Sequence, residues 1–442
     1  MYKKLGICVF LLGYSTSLLA GDVHEFSLEN GLQLIVKQDH RAPVVVSQVW
    51  YKVGASYEPE GKTGISHILE HMMFKGTKKH PPGEFSRIMA ANGASENAFT
   101  GSDYTAYFQT IEKSRLPLSF ELEADRMLNV VFIDEEFQKE RKVVLEERRT
   151  RTEDKPISLM YEHFVATAYQ NSPYHHPVIG WMSDIKNYTV EDLKVWYKRW
   201  YAPNNATVVV VGDVDPQAVF ALAKKYFGPL KPSKIIPPYS RPEVKQLGMK
   251  QIMVKLPAKI PYLILGYKTP VLNTIAPENR WEVYALDVLS YILDGGNSSR
   301  LSKNLVRGQQ IAASISVNYD IFGRLTELFT FSGTPTSKHT ISDLQSALNN
   351  QIKQLKTTLV TADELKRVKT KILSSKIYEL DSIFYQGMKI GLLETIGLDW
   401  RLFESYLDNI TTVTAEQVQT VAKKYLVDQS LTVGILEPKE KK

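Results

Sequence analysis

Apolar positions along this chain follow two periods. Val44 to Val53 and Ile252 to Lys255 carry the β-branched, every-second-residue signature of strands, and Val208 to Val211 is an unbroken valine run. Between such runs lie longer stretches with apolar residues three and four apart, which predict helices lying on one face of a sheet. One of these units occurs twice. Thr189 opens TVEDLKVWYKRWYAPNNATVVVVG, and Thr414 opens TAEQVQTVAKKYLVDQSLTVGI. In both, Thr stands at an N-cap with an acid two residues on (Glu191, Glu416), matched to the free N–H groups and the positive end of a helix. Both then pass through a basic turn (Lys198-Arg199, Lys423-Lys424) into a strand rich in valine. The pattern predicts an α+β protein of two homologous domains, each a mainly antiparallel sheet with helices packed on it.

Residues 229–242 hold five prolines (Pro229, Pro232, Pro237, Pro238 and Pro242). Proline cannot donate to a helix or a central strand, so this stretch reads as a linker between domains at 22–228 and 243–438. The first 21 residues read as an export signal: Lys3 and Lys4, an apolar Leu5–Leu12, then Ser15, Thr16, Ser17 and Ala20 before a cut near Ala20 or Gly21. Its apolar part falls short of the ~20 residues a spanning helix needs, so no stable membrane span is expected in the mature chain. Export points to the periplasm of a two-membrane bacterium. The one cysteine, Cys8, lies inside this leader, which removes disulfides and thiol chemistry from the expected mature protein. The formal charge of +6 is spread along the chain without a basic stripe interleaved with aromatics, so nucleic acid is not an expected partner.

The candidate chemistry begins at His67-Ile68-Leu69-Glu70-His71, an H-x-x-E-H run with apolar residues at helical spacing and Ser66 or Thr63 before it as a potential cap. On a helix, His67 and His71 stand one turn apart on one face, so their imidazoles converge on one ion. Glu70 lies beside them without being needed as a ligand, which suits a general base acting on water. Zinc held by two His and one carboxylate keeps a position open and lowers the pKa of bound water towards ~7.

A third ligand has to come from elsewhere. Residues 135–149 form a charged helical pattern in which Glu140 and Glu147 share a face. Spacing alone leaves Glu140, Glu146 and Glu147 open, and a charge run of this kind also reads as a solvated face. Gly93-Ala94-Ser95-Glu96-Asn97-Ala98-Phe99-Thr100 reads as a turn and then a strand. His175 and His176 sit between Pro173 and Pro177 with no carboxylate at ligand spacing, and His80 precedes Pro81-Pro82; all three read as structural loop residues.

H-x-x-E-H followed by a Glu in the V-V-L-x-E context of Val143 to Glu147 resembles the inverted-zincin peptidases of the pitrilysin and insulinase type. The likeness is nearest to the processing-peptidase-like branch of bacteria and mitochondria. It extends through Phe74-Lys75-Gly76-Thr77, Asn97-Ala98-Phe99-Thr100, Glu140 to Glu147 and the duplicated second half. The resemblance implies one Zn2+ per chain on His67, His71 and Glu147, with Glu70 as base and Glu140 as the carboxylate behind the ligands. It implies that Asn97, Ala98, Phe99 and Thr100 bind extended substrate by strand addition. The implied activity is endopeptidase cleavage of peptides or unfolded protein segments; a non-catalytic scaffold of the same fold is the alternative.

The second half lacks that chemistry. Aligned on Gly76 and Gly295, it places Leu286, Leu289 and Ser290 opposite His67, Glu70 and His71. Active relatives carry an Arg and a Tyr there in a segment resembling L-R-x-x-x-G-L-A-Y, which stabilise the tetrahedral intermediate. Leu305 to Ser314 puts Val306 and Ala313 at those positions, and a frame slipped to Arg307 reaches Ser314. The expectation is a homo- or heterodimer in which a paralogous partner supplies the pair.

Overall fold

The computed structural model describes residues 23–236 and 241–439. The leader at 1–21, and Pro237 and Pro238 within the linker, lie outside the described residues.

Six strands form the first sheet: β1 (Val23–Ser27), β2 (Gln33–Gln38), β3 (Val44–Tyr51), β4 (Ser95–Thr100), β5 (Thr105–Glu112) and β6 (Ala206–Gly212), in the order β1-β2-β6-β3-β5-β4. Five form the second: β7 (Lys250–Leu256), β8 (Tyr262–Thr269), β9 (Ala312–Asn318), β10 (Glu327–Pro335) and β11 (Leu431–Pro438), in the order β7-β11-β8-β10-β9. The plans match. In each, the last strand of the half inserts beside the first core strand in parallel (β2 with β6, β7 with β11), and the remaining pairs are antiparallel. The repeat read from Thr189 and Thr414 is real in three dimensions. Both residues close capping boxes, with Asp192 and Gln417 as the reciprocal partners.

The unbroken Val208–Val211 run follows from burial on both faces of β6, because successive side chains point opposite ways. Val208 and Val210 meet the helices of their own half, whereas Val209 and Val211 join Ile35 and Trp50 against Ile390 of helix Ile383–Thr395. That helix belongs to the second half. The exchange is reciprocal: helix Pro156–Ala168 of the first half puts Met160 and Phe164 against Ile264, Leu328 and Leu436 of the second sheet. Each seat is an aromatic ring on glycine. A Cβ on Gly391 would come within 2.1 Å of Trp50 Nε1, and one on Gly266 within 2.6 Å of the Phe164 ring. Truncating a buried aromatic of this kind costs about 3–5 kcal/mol, so each crossing helix is firmly held. Among the described residues no helix is long and apolar enough to cross a membrane.

Candidate metal centre and substrate chamber

The H-x-x-E-H run lies in helix Ile65–Met72. Its N-terminus differs from the expected Ser66 or Thr63 cap. The N-cap residue is Gly64, at φ 82°, and the carboxylate of Glu58 accepts from Gly64 N at 2.6 Å and Ser66 N at 2.8 Å. Thr63 is turned away, donating its N–H and hydroxyl to Asp184 at 3.0 and 2.7 Å. A buried carboxyl group six residues upstream thus does the work the local pattern assigned to a hydroxyl. The left-handed turn lets the backbone pass close to residues 179–180, where a Cβ on Gly64 would lie 2.3 Å from the Ile179 carbonyl oxygen.

Helix Asp134–Arg148 packs on the His67 helix and places its three acids differently. Glu147 faces both imidazoles, 3.8 Å from His67 Nε2 and 3.5 Å from His71 Nε2. Glu140 stands one step behind, its Oε2 3.0 Å from His71 Nδ1 and its Oε1 2.6 Å from Lys75 Nζ. Glu146 points away and pairs with Arg149 on an exposed face at 3.0 Å. The helix end is anchored by the next residue: Arg148 donates to both oxygens of buried Glu162 at 2.8 Å, linking it to the crossing helix Pro156–Ala168.

The electrostatics fit a cation between the two His and Glu147. Burial, then the charge on His71, pulls His67 down to about 4, which keeps it neutral. Burial also works against the charged form of His71, but Glu140 on one nitrogen and Glu147 on the other outweigh it and raise it to about 9. The hydrogen bond from His71 holds Glu147 below the usual carboxylate range. One proton on His71 therefore neutralises the cluster. With Glu140 accepting from Nδ1, Nε2 is the nitrogen left to bind a metal. One atom each from His67, His71 and Glu147 lies within 4.8 Å of the others. Ligands ~2.0–2.1 Å from a tetrahedral ion sit ~3.4 Å apart, so a small inward movement completes the set.

Glu70 is half-buried beside this trio. Burial pushes its carboxyl up, while the hydroxyl of Thr100, donated to Oε2, pulls it the other way. Thr100 ends β4, the edge strand of the first sheet, whose outer side is free of a strand partner among the described residues. Asn97, Ala98, Phe99 and Thr100 all line one cavity of about 1050 Å³ with His67, Glu70, His71 and Glu147. The opposite wall comes from the second half, through Tyr262, Asn318, Glu327 and Thr330. Phe99 also packs edge-on against Trp50 at 5.3 Å, tying the strand to the crossing-helix core.

Sequence reasoning missed several residues here. Arg151, in the π-helical turn after Glu147, sits 2.7 Å from Glu147 Oε1. Tyr161, Tyr169 and Tyr174 line the chamber from the crossing helix and the loop after it. Only Lys75 had a signal, its place in the quoted Phe74-Lys75-Gly76-Thr77 run. The reading of His175 and His176 as lacking a carboxylate needs correction, since the fold brings Glu60 to both, at 3.3 and 3.2 Å. His80 does lie in a loop, 3.5 Å from Glu84. Leu286, Leu289 and Ser290 are buried in helix Trp281–Asp294 and offer no second metal set. In the Leu305–Ser314 segment, Val306 packs on the second core, Ala313 lies on β9, and neither lines the chamber. Gln310 carries φ 55° where the family pattern has Gly, which supports the frame that puts Val306 and Ala313 at the Arg and Tyr positions.

Comparison with known proteins agrees with this geometry. Residues 33–180 match the family described as Insulinase (Peptidase family M16), and residues 187–372 match the Peptidase M16 inactive domain. The zinc protease PqqE of Helicobacter pylori is 36% identical over 419 residues, covering 93% of this chain and 92% of that protein. An uncharacterized zinc protease of Mycobacterium leprae is 28% identical over 414 residues, 93% of this chain and 91% of its own. Among solved structures, a protease from Helicobacter pylori superposes with a TM-score of 0.89 at 33% identity, over 95% of this chain and 100% of that one. The periplasmic protease PqqL of Escherichia coli shares the fold, with a TM-score of 0.81 at 19% identity over 95% of this chain and 48% of its own. With side chains in the first half that could hold a metal ion, no such group among the described residues of the second, and this likeness running nearly end to end, the chain belongs to the insulinase-type peptidase family M16.

Proposed function

We propose that the chain is a zinc-dependent endopeptidase acting on extended peptides or unfolded protein segments. The observation that carries this reading is the convergence of His67, His71 and Glu147 beside a half-buried Glu70, in a chamber bounded by a strand edge that has no strand partner among the described residues. Zinc on the three ligands would polarise the scissile carbonyl and lower the pKa of water towards ~7. Glu70 would accept a proton from the attacking water and pass it to the leaving amine. Thr100 fixes the Glu70 carboxylate through its hydroxyl. Glu140 holds the His71 ring by Nδ1, leaving Nε2 for the metal. The backbone of β4 binds substrate as an added strand, a mode that draws affinity from main-chain hydrogen bonds and admits many sequences. A chamber of about 1050 Å³ between two halves takes an extended chain and turns away a folded one.

A paralogous partner subunit supplies an Arg and a Tyr, in keeping with Val306 and Ala313 at the positions where active relatives carry them. Arg151 and the tyrosines of the crossing helix are the candidates within this chain for the same role. Val306 and Ala313 equally favour a second reading, a scaffold or binding subunit that keeps the peptidase fold. The leader-like composition of residues 1–21 supports an exported protein of the cell envelope.

The test is turnover of an unstructured quenched-fluorescence peptide by the zinc-loaded mature chain, alone and with its paralogue. Activity abolished by Glu70→Gln with zinc retained supports the peptidase. If it needs the paralogue, the pair is shared between subunits; if the isolated chain suffices, the role passes to Arg151 and its neighbours. No turnover in either mixture, with zinc bound, favours the scaffold.

A further inference from the structure

A second cluster of metal-ligating side chains lies on the wall of the chamber, away from the His67 helix. His175 and His176 close the short turn Pro173–His175 and the residue after it, and both present Nε2 to a single oxygen of Glu60, at 3.3 and 3.2 Å. The two rings meet edge to face with centroids 4.4 Å apart. One ligand atom from each of the three residues lies within 4.8 Å of the others, the same closeness shown by His67, His71 and Glu147.

Three features separate this cluster from an incidental surface contact. His176 is 5% exposed, and its Nδ1 lies 3.3 Å from the carbonyl oxygen of Ala55. A carbonyl only accepts, so Nδ1 carries a hydrogen, and Nε2, which faces the Glu60 oxygen, is the nitrogen that an ion would take in place of a proton. The edges of the cluster also have the right length. Ligands ~2.0–2.1 Å from a tetrahedral ion sit ~3.4 Å apart, and both imidazole–carboxylate distances approach that value without rearrangement. Finally, among the described residues the other cation at Glu60 is Arg241, whose contact of 3.9 Å is longer than those of the two imidazoles.

We propose that Glu60, His175 and His176 form a second site for a divalent transition ion of the zinc class, which braces the junction between the two halves. Two imidazoles and one carboxylate select Zn2+, Co2+, Ni2+ or Cu2+ over Ca2+ and Mg2+, which prefer all-oxygen sets. The junction is the structural consequence. Tyr174, next to His175, accepts from Arg324 N and Leu325 N of the second half at 2.9 and 3.1 Å. Glu243, at the start of the second half, accepts from Asn171 N and Ser172 N at 3.0 and 2.9 Å. An ion tying this turn to the Glu60 loop stiffens the segment through which the halves are joined, and its binding energy adds to the stability of the folded chain.

Cobalt titration of the full mature chain tests this. A His71→Ala background disables the first site, and tetrahedral cobalt bands report the second. The proposal expects one equivalent of Co2+ in His71→Ala, lost in His71→Ala/Glu60→Gln, and a melting temperature that rises with Zn2+ only while Glu60 is present. Glu60 is exposed, so its amide isostere leaves folding intact. As an independent check, the wild type holds two zinc equivalents after gel filtration and Glu60→Gln one. A simple imidazolium–carboxylate pair gives the opposite results, and any of them overturns the site: no cobalt in His71→Ala, a cobalt spectrum indifferent to Glu60→Gln, or a single equivalent in both the wild type and Glu60→Gln.

Discussion

The hydroxyl of Thr100 is donated to the carboxylate of Glu70, which joins the last residue of the edge strand β4 to the helix bearing His67 and His71. The strand that would receive substrate and the group that would handle the proton are therefore one mechanical unit. Hydrogen bonds to charged groups contribute about 1.5–3 kcal/mol, and each 1.36 kcal/mol is tenfold in rate. Thr100→Val is expected to lower kcat roughly 10- to 100-fold with zinc content unchanged, and Thr100→Ser to restore most of it. Steady-state kinetics beside metal analysis checks this; equal losses in both variants would show that the hydroxyl does not matter.

Glu140 contacts His71 Nδ1 and Lys75, and in the proposed site it would hold His71 from behind the metal. Replacing such a partner weakens metal binding about 10- to 100-fold. Glu140→Gln should therefore lose zinc to a chelator at a correspondingly lower chelator concentration, yet turn over normally at saturating zinc. A variant with wild-type zinc affinity would remove Glu140 from the site.

The contact of Trp50 with Gly391 sets how the second half's helix lies on the first sheet. Gly391→Ala forces a methyl group into the indole and should cost about 1–3 kcal/mol. Trp50→Phe shortens the ring, so the double variant should be more stable than the sum of the two single losses predicts. Urea denaturation of the four proteins gives the coupling directly, and strict additivity would mean the two residues do not touch.

Asp287 is buried in the second half with the hydroxyl of Tyr406 donated to it, and burial raises it to about 6. Its folded pKa exceeds the unfolded value near ~3.9, so the folded state binds this proton more tightly. The associated stability is present below about pH 4 and is lost as pH rises towards 6, by at most roughly 3 kcal/mol. Asp287→Asn cannot titrate. The stability difference between wild type and variant, followed from pH 4 to 7, should shift against the wild type across that window; a constant difference would mean Asp287 is already ionised when folded.

Much of this was legible in the chain because it is local or repeated. The two-residue and helical periods, the paired Thr caps and the H-x-x-E-H spacing depend on neighbours within one or two turns. The third ligand was legible only by resemblance, since Glu140, Glu146 and Glu147 are equivalent until one knows which face of their helix meets His67. Residues brought together by tertiary packing left no local trace. Glu58 replaces the expected cap from outside the helix, Glu60 meets His175 and His176 across more than a hundred positions, and Arg151 reaches Glu147 through a π-helical turn. The reciprocal exchange of helices was equally hidden, although the unbroken valines of β6 already demanded cover on both faces.

That exchange bears on how the protein is made. Among the described residues, the outer face of the first sheet, with Ile35, Trp50, Val209 and Val211, is covered by Ile390 of helix Ile383–Thr395 and by Trp400 just beyond it. About three-quarters of the second half must therefore be made before the first can shut out water. During synthesis that apolar face is open to chaperones and to other nascent chains. A chain cut at the proline-rich segment would keep the metal ligands and lose this cover, and would aggregate through the exposed sheet instead of folding as a smaller peptidase.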